Sequence, residues 1–148
     1  IELLLAQDIS NKVKVSGTFN WYSNAIDAYQ GTLLFPYERT FTVEESTADA
    51  WNAKLNAELQ LEHDLAIHLT GIYYSDKNIP QGKELSRSSV DLGLKKSFWD
   101  KKAELTFSAT DIFNRFGIRQ EVTDQGFTAL YQNYFETQIF RLGLRYKL

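Results

Sequence analysis

Over residues 51–61 apolar and polar side chains alternate one for one. Trp51, Ala53, Leu55, Ala57, Leu59 and Leu61 are apolar, whereas Asn52, Lys54, Asn56, Glu58 and Gln60 are polar. Successive side chains of a strand point to opposite faces, so this period of two predicts a ribbon with one oily and one wet face and excludes an amphipathic helix. The pattern recurs with Val13, Val15, Gly17, Phe19 and Trp21 against Lys12, Lys14, Ser16, Thr18 and Asn20. It returns with Val90, Leu92 and Leu94 against Asp91, Gly93 and Lys95, and with Leu105, Phe107 and Ala109 against Glu104, Thr106 and Ser108. The chain closes on Phe140, Leu142, Leu144, Tyr146 and Leu148 against Arg141, Gly143, Arg145 and Lys147; Leu65, Ile67, Leu69, Gly71 and Tyr73 fit the same scheme. The predicted class is all-β with antiparallel up-and-down strands, about seven of them when a partial one at 1–7 is counted.

Connections of two lengths alternate along the chain. Short ones are expected near 8–11, 62–64 and 99–102, and long ones over 31–46 and 76–86. In an up-and-down sheet alternate connections fall at the same end, which gives one end of tight turns and one of longer loops, the asymmetry of outer-membrane barrels. The stretches 12–29 and 128–148 are each expected to form a strand long enough to cross a bilayer and project beyond it. Phe98, Trp99 and Tyr146 then lie near the tight turns, and Trp21, Tyr22, Trp51, Tyr73 and Tyr74 near the loops, as two aromatic girdles require; the plainer alternative is that these rings fill a β-core. Seven strands are odd against the even numbers of bacterial single-chain barrels. Residues 1–148 are therefore expected to be the C-terminal portion of a larger barrel, with earlier strands missing.

Composition removes other classes. No apolar run approaches the roughly 20 residues of a membrane-spanning helix. Cys 0 removes disulfides and thiolate sites, and a net charge of −3 gives no basic field for nucleic acid. His63 and His68 have no partner at metal-ligand spacing, so no metal and no cofactor are expected. Ser, His and acidic residues form no nucleophile elbow, so no enzymatic activity is expected.

Two segments resemble the outer-membrane β-barrels of TonB-dependent receptors, particularly the forms common in Bacteroidetes. Ser89-Val90-Asp91-Leu92-Gly93-Leu94-Lys95-Lys96-Ser97-Phe98, the turn Trp99-Asp100-Lys101-Lys102, and Asp111-Ile112-Phe113-Asn114 together look like that family's closing hairpin. Ile79-Pro80-Gln81-Gly82 matches the loop such proteins place before it. At the end of the chain, Arg141, Gly143, Tyr146 and Leu148 resemble the terminal signal read by the barrel assembly machinery, with Leu148 where many relatives have Phe. The resemblance implies localisation in the bacterial outer membrane, contact with its lipid, and uptake of a scarce nutrient such as a metal chelate, vitamin or glycan. It also implies a plug domain and a TonB-binding segment in the part of the protein upstream.

Residues that invite a role have plainer readings beside it. Lys54, Glu58, Lys95, Glu104, Arg141 and Arg145 are expected to face the lumen, either lining a substrate path or merely keeping the interior wet. Phe35, Tyr37 and Phe41 are expected in an exterior loop, as ligand contacts or as a cap. Asp111 and Asn114 are expected to serve backbone geometry at a bend. Two other functions remain open: a soluble β-barrel that binds a small ligand, and an outer-membrane barrel acting as passive channel or adhesin without TonB.

Overall fold

The computed structural model describes residues 1–124 and 126–147. Its strands are β1 (Glu2–Ser10), β2 (Val13–Ile26), β3 (Tyr29–Leu33), β4 (Arg39–Val43), β5 (Ser46–Leu61), β6 (Leu65–Tyr74) and β7 (Lys77–Ile79). They continue as β8 (Gly82–Glu84), β9 (Arg87–Phe98), β10 (Ala103–Thr110), β11 (Ile118–Asp124), β12 (Phe127–Asn133) and β13 (Ile139–Tyr146). Seven make one sheet in the order β1-β2-β5-β6-β9-β10-β13, every neighbour antiparallel. This is the expected up-and-down wall, with the expected number of strands.

The tight turns fall where the alternation breaks. His63 and Asp64 take positive φ of 59° and 56° between β5 and β6, and Trp99, Asp100 and Lys101 do so between β9 and β10. A side chain tolerates the left-handed region only at some cost, and Asp64 and Asp100, whose short polar side chains bear it best, stand in the two turns beside His63, Trp99 and Lys101.

The other end is more built than a set of loops. The segment expected as a loop over 31–46 contains the hairpin β3–β4, and 76–86 contains the hairpin β7–β8. A third long connection, over 111–138, contains β11 and β12. β8 pairs with β11, so two connections fuse into a four-stranded sheet ordered β12-β11-β8-β7. The single long strand expected over 128–148 is therefore corrected. It is two strands, β12 in this loop-end sheet and β13 in the wall, separated by residues 134–138. Only β13 keeps the period of two; β12 carries Ala129, Leu130 and Tyr131 in succession, and the two strands have different hydrogen-bond partners.

The loop-end sheet is pinned by charge as well as by its ladder. The Lys83 ammonium, 2.7 Å from Asp76, holds that carboxyl below the ordinary carboxylate range, and the Ser86 amide donates to it at 2.6 Å. Lys77 lies 3.3 Å from Glu84 across β7–β8, and Asn24 of β2 donates to the Asn78 carbonyl at 2.7 Å.

Asp111 fixes where the wall ends and the loop-end sheet begins. It is the largest fully buried side chain among the described residues, 2% exposed. One carboxylate oxygen accepts from the Arg115 amide at 2.9 Å, and the other from the Phe116 amide at 3.2 Å and the Thr137 hydroxyl at 2.6 Å. Its own amide donates to Asp91 Oδ1 at 2.8 Å. With Asp111 and Asn114 both at positive φ, the chain leaves β10 and runs on beside β9, where Ile112 donates to the Val90 carbonyl and Ser88 to that of Arg115. The Asp-Ile-Phe-Asn motif thus has the structural role expected of it. Asp111→Ala leaves three part-buried donors without that acceptor and is expected to cost on the order of 3 kcal/mol. Denaturant unfolding of the purified protein checks this as a lower midpoint, with Asp111→Asn falling between; an unchanged midpoint in the alanine variant contradicts the role.

Candidate functional site

Directly paired residues of antiparallel strands share a face, so register decides what each side of the wall presents. One face carries Leu5, Gly17, Leu55, Gly71 and Val90 in a single row across five strands. Another row of the same face reads Ala57, Leu69, Leu92, Ala109 and Phe140. The alternating apolar residues of the wall therefore merge into one apolar surface.

That surface has nothing packed on it. Leu55, Leu142 and Leu144 are 55%, 74% and 76% exposed, and the buried hydrophobic side chains among the described residues are only Val43, Ala50, Ala103 and Ala109. A soluble barrel requires these leucines in a dry centre, and they are not there.

Rings bound the apolar face at both ends. At the loop end Trp51 stacks on Tyr73 at 4.7 Å between centroids and tilts against Phe19 at 5.7 Å, with Trp21 paired to Trp51 in register. At the turn end Phe98 and Tyr146 flank Ala103, and Trp99 meets Tyr146 edge-on at 6.3 Å. Ser88, at the level of Tyr73, and Phe98 are about ten residues apart on β9, ~33 Å of strand and roughly 25 Å of height at the usual tilt of a membrane barrel. That height equals the apolar band of a transmembrane barrel, so the rings sit where its interfaces lie.

Two rings expected in the loop-end girdle are not part of it. Tyr22 and Tyr74 pair with Ala50 and Asn52, residues of the opposite face, because they follow Trp21 and Tyr73 by one position in a structure of period two. Tyr74 instead supports Arg87, whose guanidinium lies 4.9 Å over its ring and 5.2 Å over that of Phe116.

The second face is polar and laced across strands. Asn56 donates to Ser16 at 3.3 Å and accepts from Thr70 at 3.1 Å, joining three strands, and Asn20 donates to Asn52 at 3.1 Å. Lys54, Glu58, Lys95, Glu104, Arg141 and Arg145 all fall on this face by register. Lys95 and Glu104 meet at 2.8 Å, and Glu58 lies 3.7 Å from His68. His63 lies apart in its turn, where its carbonyl accepts from Lys96.

The structure separates the three aromatics expected as exterior contacts. Phe35 and Tyr37, at the tip of the β3–β4 hairpin, are 88% and 67% exposed. Phe41 is half-buried within the hairpin: it meets Tyr29 edge-on at 6.1 Å and crosses Gly31, where a Cβ would stand 2.6 Å from its ring. In the terminal segment, Gly143 leaves room for Thr106, whose hydroxyl would lie 2.7 Å from a Cβ there. Arg141 is on the polar face and Tyr146 on the apolar one, and Leu148 lies outside the described residues.

One cluster went unseen in the sequence. Arg87, Arg115 and Arg119 line a pocket of about 460 Å³ at the loop end, with Asn114 and Tyr134. Arg87 comes from β9 and the others from 112–119, which bonds first to β9 at Val90 and Ser88 and then to Leu85 ahead of it.

An apolar belt of membrane height between two rows of rings, backed by a hydrogen-bonded polar face, defines the wall of a transmembrane β-barrel. Residues 1–146 match the outer membrane protein beta-barrel family, and the chain belongs to it. It is an outer-membrane barrel protein of the bacterial cell envelope, and its apolar face meets lipid. It matches no curated protein and no solved structure. Leu55→Arg, in the middle of the lipid face, is expected to cost roughly 2–4 kcal/mol on folding into lipid vesicles, whereas Lys54→Gln on the opposite face stays within about 1 kcal/mol of the parent. Equal losses at the two positions contradict the assignment of faces.

Proposed function

We propose that this wall belongs to a TonB-dependent receptor that imports a scarce nutrient, a metal chelate, vitamin or glycan, across the outer membrane. The observation that carries this reading is the combination of a polar face with free sheet edges and a built loop end. The outer edges of β1 and β13 have no paired strand among the described residues. A bilayer contains no water to satisfy such edges, so on this reading further strands complete the barrel, and an even total requires an odd number of them. A plugged lumen belongs to barrels of about 22 strands, whereas about 8 leave room only for side chains, so this reading calls for many strands beyond these seven.

On this reading Lys54, Glu58, Lys95, Glu104, Arg141 and Arg145 line the lumen, where they face the plug or the substrate path. Phe35 and Tyr37, exposed at a hairpin tip on the loop side, offer rings to an incoming ligand. Arg141, Gly143, Tyr146 and Leu148 serve as the signal taken up by the barrel assembly machinery. The resemblance of the β9–β10 hairpin and of the Asp-Ile-Phe-Asn motif to the receptor family supports energised uptake over a passive pore.

Conductance separates the two. The full-length protein reconstituted in a planar bilayer is expected to stay electrically silent, because a plug fills the lumen, and to bind the isolated periplasmic domain of TonB. Steady ohmic conductance without TonB binding contradicts the receptor and identifies a passive channel.

A further inference from the structure

The apolar face holds a groove of about 640 Å³, walled by Leu3, Leu5, Phe19 and Leu55. Gly71 opens its floor: a Cβ there would meet nothing within 4 Å, so the glycine leaves space on the lipid side and relieves no clash. A glycine inside a strand that weakens packing without a turn or bulge to serve marks a place where another molecule approaches the backbone.

At its loop end the groove runs into the arginine pocket. Tyr73 and Ser88 belong to the walls of both. Both are on the lipid face, and the carbonyl of Arg115 accepts from the Ser88 amide at 3.4 Å, which brings the arginine segment to the upper rim of the apolar belt. The pocket wall contains Arg115 and Arg119 and no carboxylate, with Arg87 contributing from β9 while its guanidinium lies on the polar face over Tyr74. Arg115 is exposed, and its guanidinium has no hydrogen bond or ion pair among the described residues. Arg119 gives one donor to the Ser86 carbonyl at 2.9 Å and keeps the rest of its fork. Arg87 is braced between Tyr74 and Phe116, with Glu84 at 3.9 Å as its counter-charge and its Nε buried without a partner.

We propose that groove and pocket together form a site for a phosphorylated lipid of the leaflet at the loop end. An acyl chain lies in the groove, and the phosphate is held by Arg115 and Arg119. Charge complementarity points to the headgroup, since guanidinium forks match phosphate oxygens in pairs. Height points to a lipid source: the arginines lie just beyond the Trp51–Tyr73 stack, where acyl chains give way to headgroups. The proposal rests on the placement of the apolar face in lipid and is independent of transport.

Native mass spectrometry of the full-length protein in a nonionic detergent tests it, with dimyristoyl phosphatidic acid and dimyristoyl phosphatidylcholine as probes. Phosphatidic acid is expected to bind at least about tenfold more tightly, a difference of ~1.4 kcal/mol. The double variant Arg115→Gln/Arg119→Gln abolishes that preference, while Arg115→Lys keeps part of it. Gly71→Leu fills the groove and weakens both lipids. Arg115 is exposed and unpaired, so its replacements do not endanger folding, and heat-modifiable migration on a gel verifies each variant. Equal binding of the two lipids, or a preference that survives the double substitution, overturns the proposal. Displacement of phosphatidic acid by inorganic phosphate, with Gly71→Leu without effect, overturns the lipid part and assigns the pocket to a free anion.

Discussion

A backbone amide or carbonyl in the hydrocarbon of a bilayer has no water to bond, and each one left alone costs several kcal/mol. Everything else in this chain follows from how its strands meet that constraint. Seven neighbouring ribbons pair edge to edge, and the register shifts only near Asp8 and Ser10, at the tight-turn end of β1. A slip of one residue elsewhere would bring Lys54 or Glu58 into the row of Leu55 and expose them to lipid. Unbroken register is thus what keeps the two faces chemically distinct.

Beyond the bilayer the constraint relaxes, and the chain uses the freedom. At the turn end it reverses within a few residues, with side chains held at positive φ. At the loop end it builds a second sheet from two separate connections and anchors it through a buried carboxylate, Asp111, that gathers donors from Arg115, Phe116 and Thr137. Water is available there, so short strands, ion pairs such as Asp76–Lys83, and exposed rings such as Phe35 coexist at little cost. The junction between these regimes, around Tyr73, Ser88 and Arg115, is where apolar groove and cationic pocket adjoin.

The wall was legible in the sequence because its information is local. Odd and even positions of 51–61 declare their faces without reference to any partner, and short polar breaks mark the turns. The loop-end sheet was not legible, because β8 is three residues long and pairs with β11 from another connection; no periodicity of Gly82–Glu84 announces a partner at Gln120–Val122. The same limit explains the 128–148 stretch, where β-forming residues run on while their partners lie in two sheets and only β13 alternates. Tyr22 and Tyr74 differ for another reason: each follows a girdle residue by one position, which keeps its level but reverses its face. The arginine pocket lay beyond reach, since Arg87 and Arg115 become neighbours only after Asp111 turns the chain along β9.

Residues 1–148 contain no cysteine, so each single-cysteine variant carries one label in this segment and the unsubstituted protein gives the background. The most direct measurement is therefore to replace each of residues 51–61 in turn in the full-length protein, in native membranes, and to read its reactivity with a water-soluble maleimide and with a lipid-partitioning one. The account predicts strict alternation, with even positions modified from water and odd positions only from lipid. Uniform modification along the strand, or odd positions open to water while even ones are protected, would contradict it.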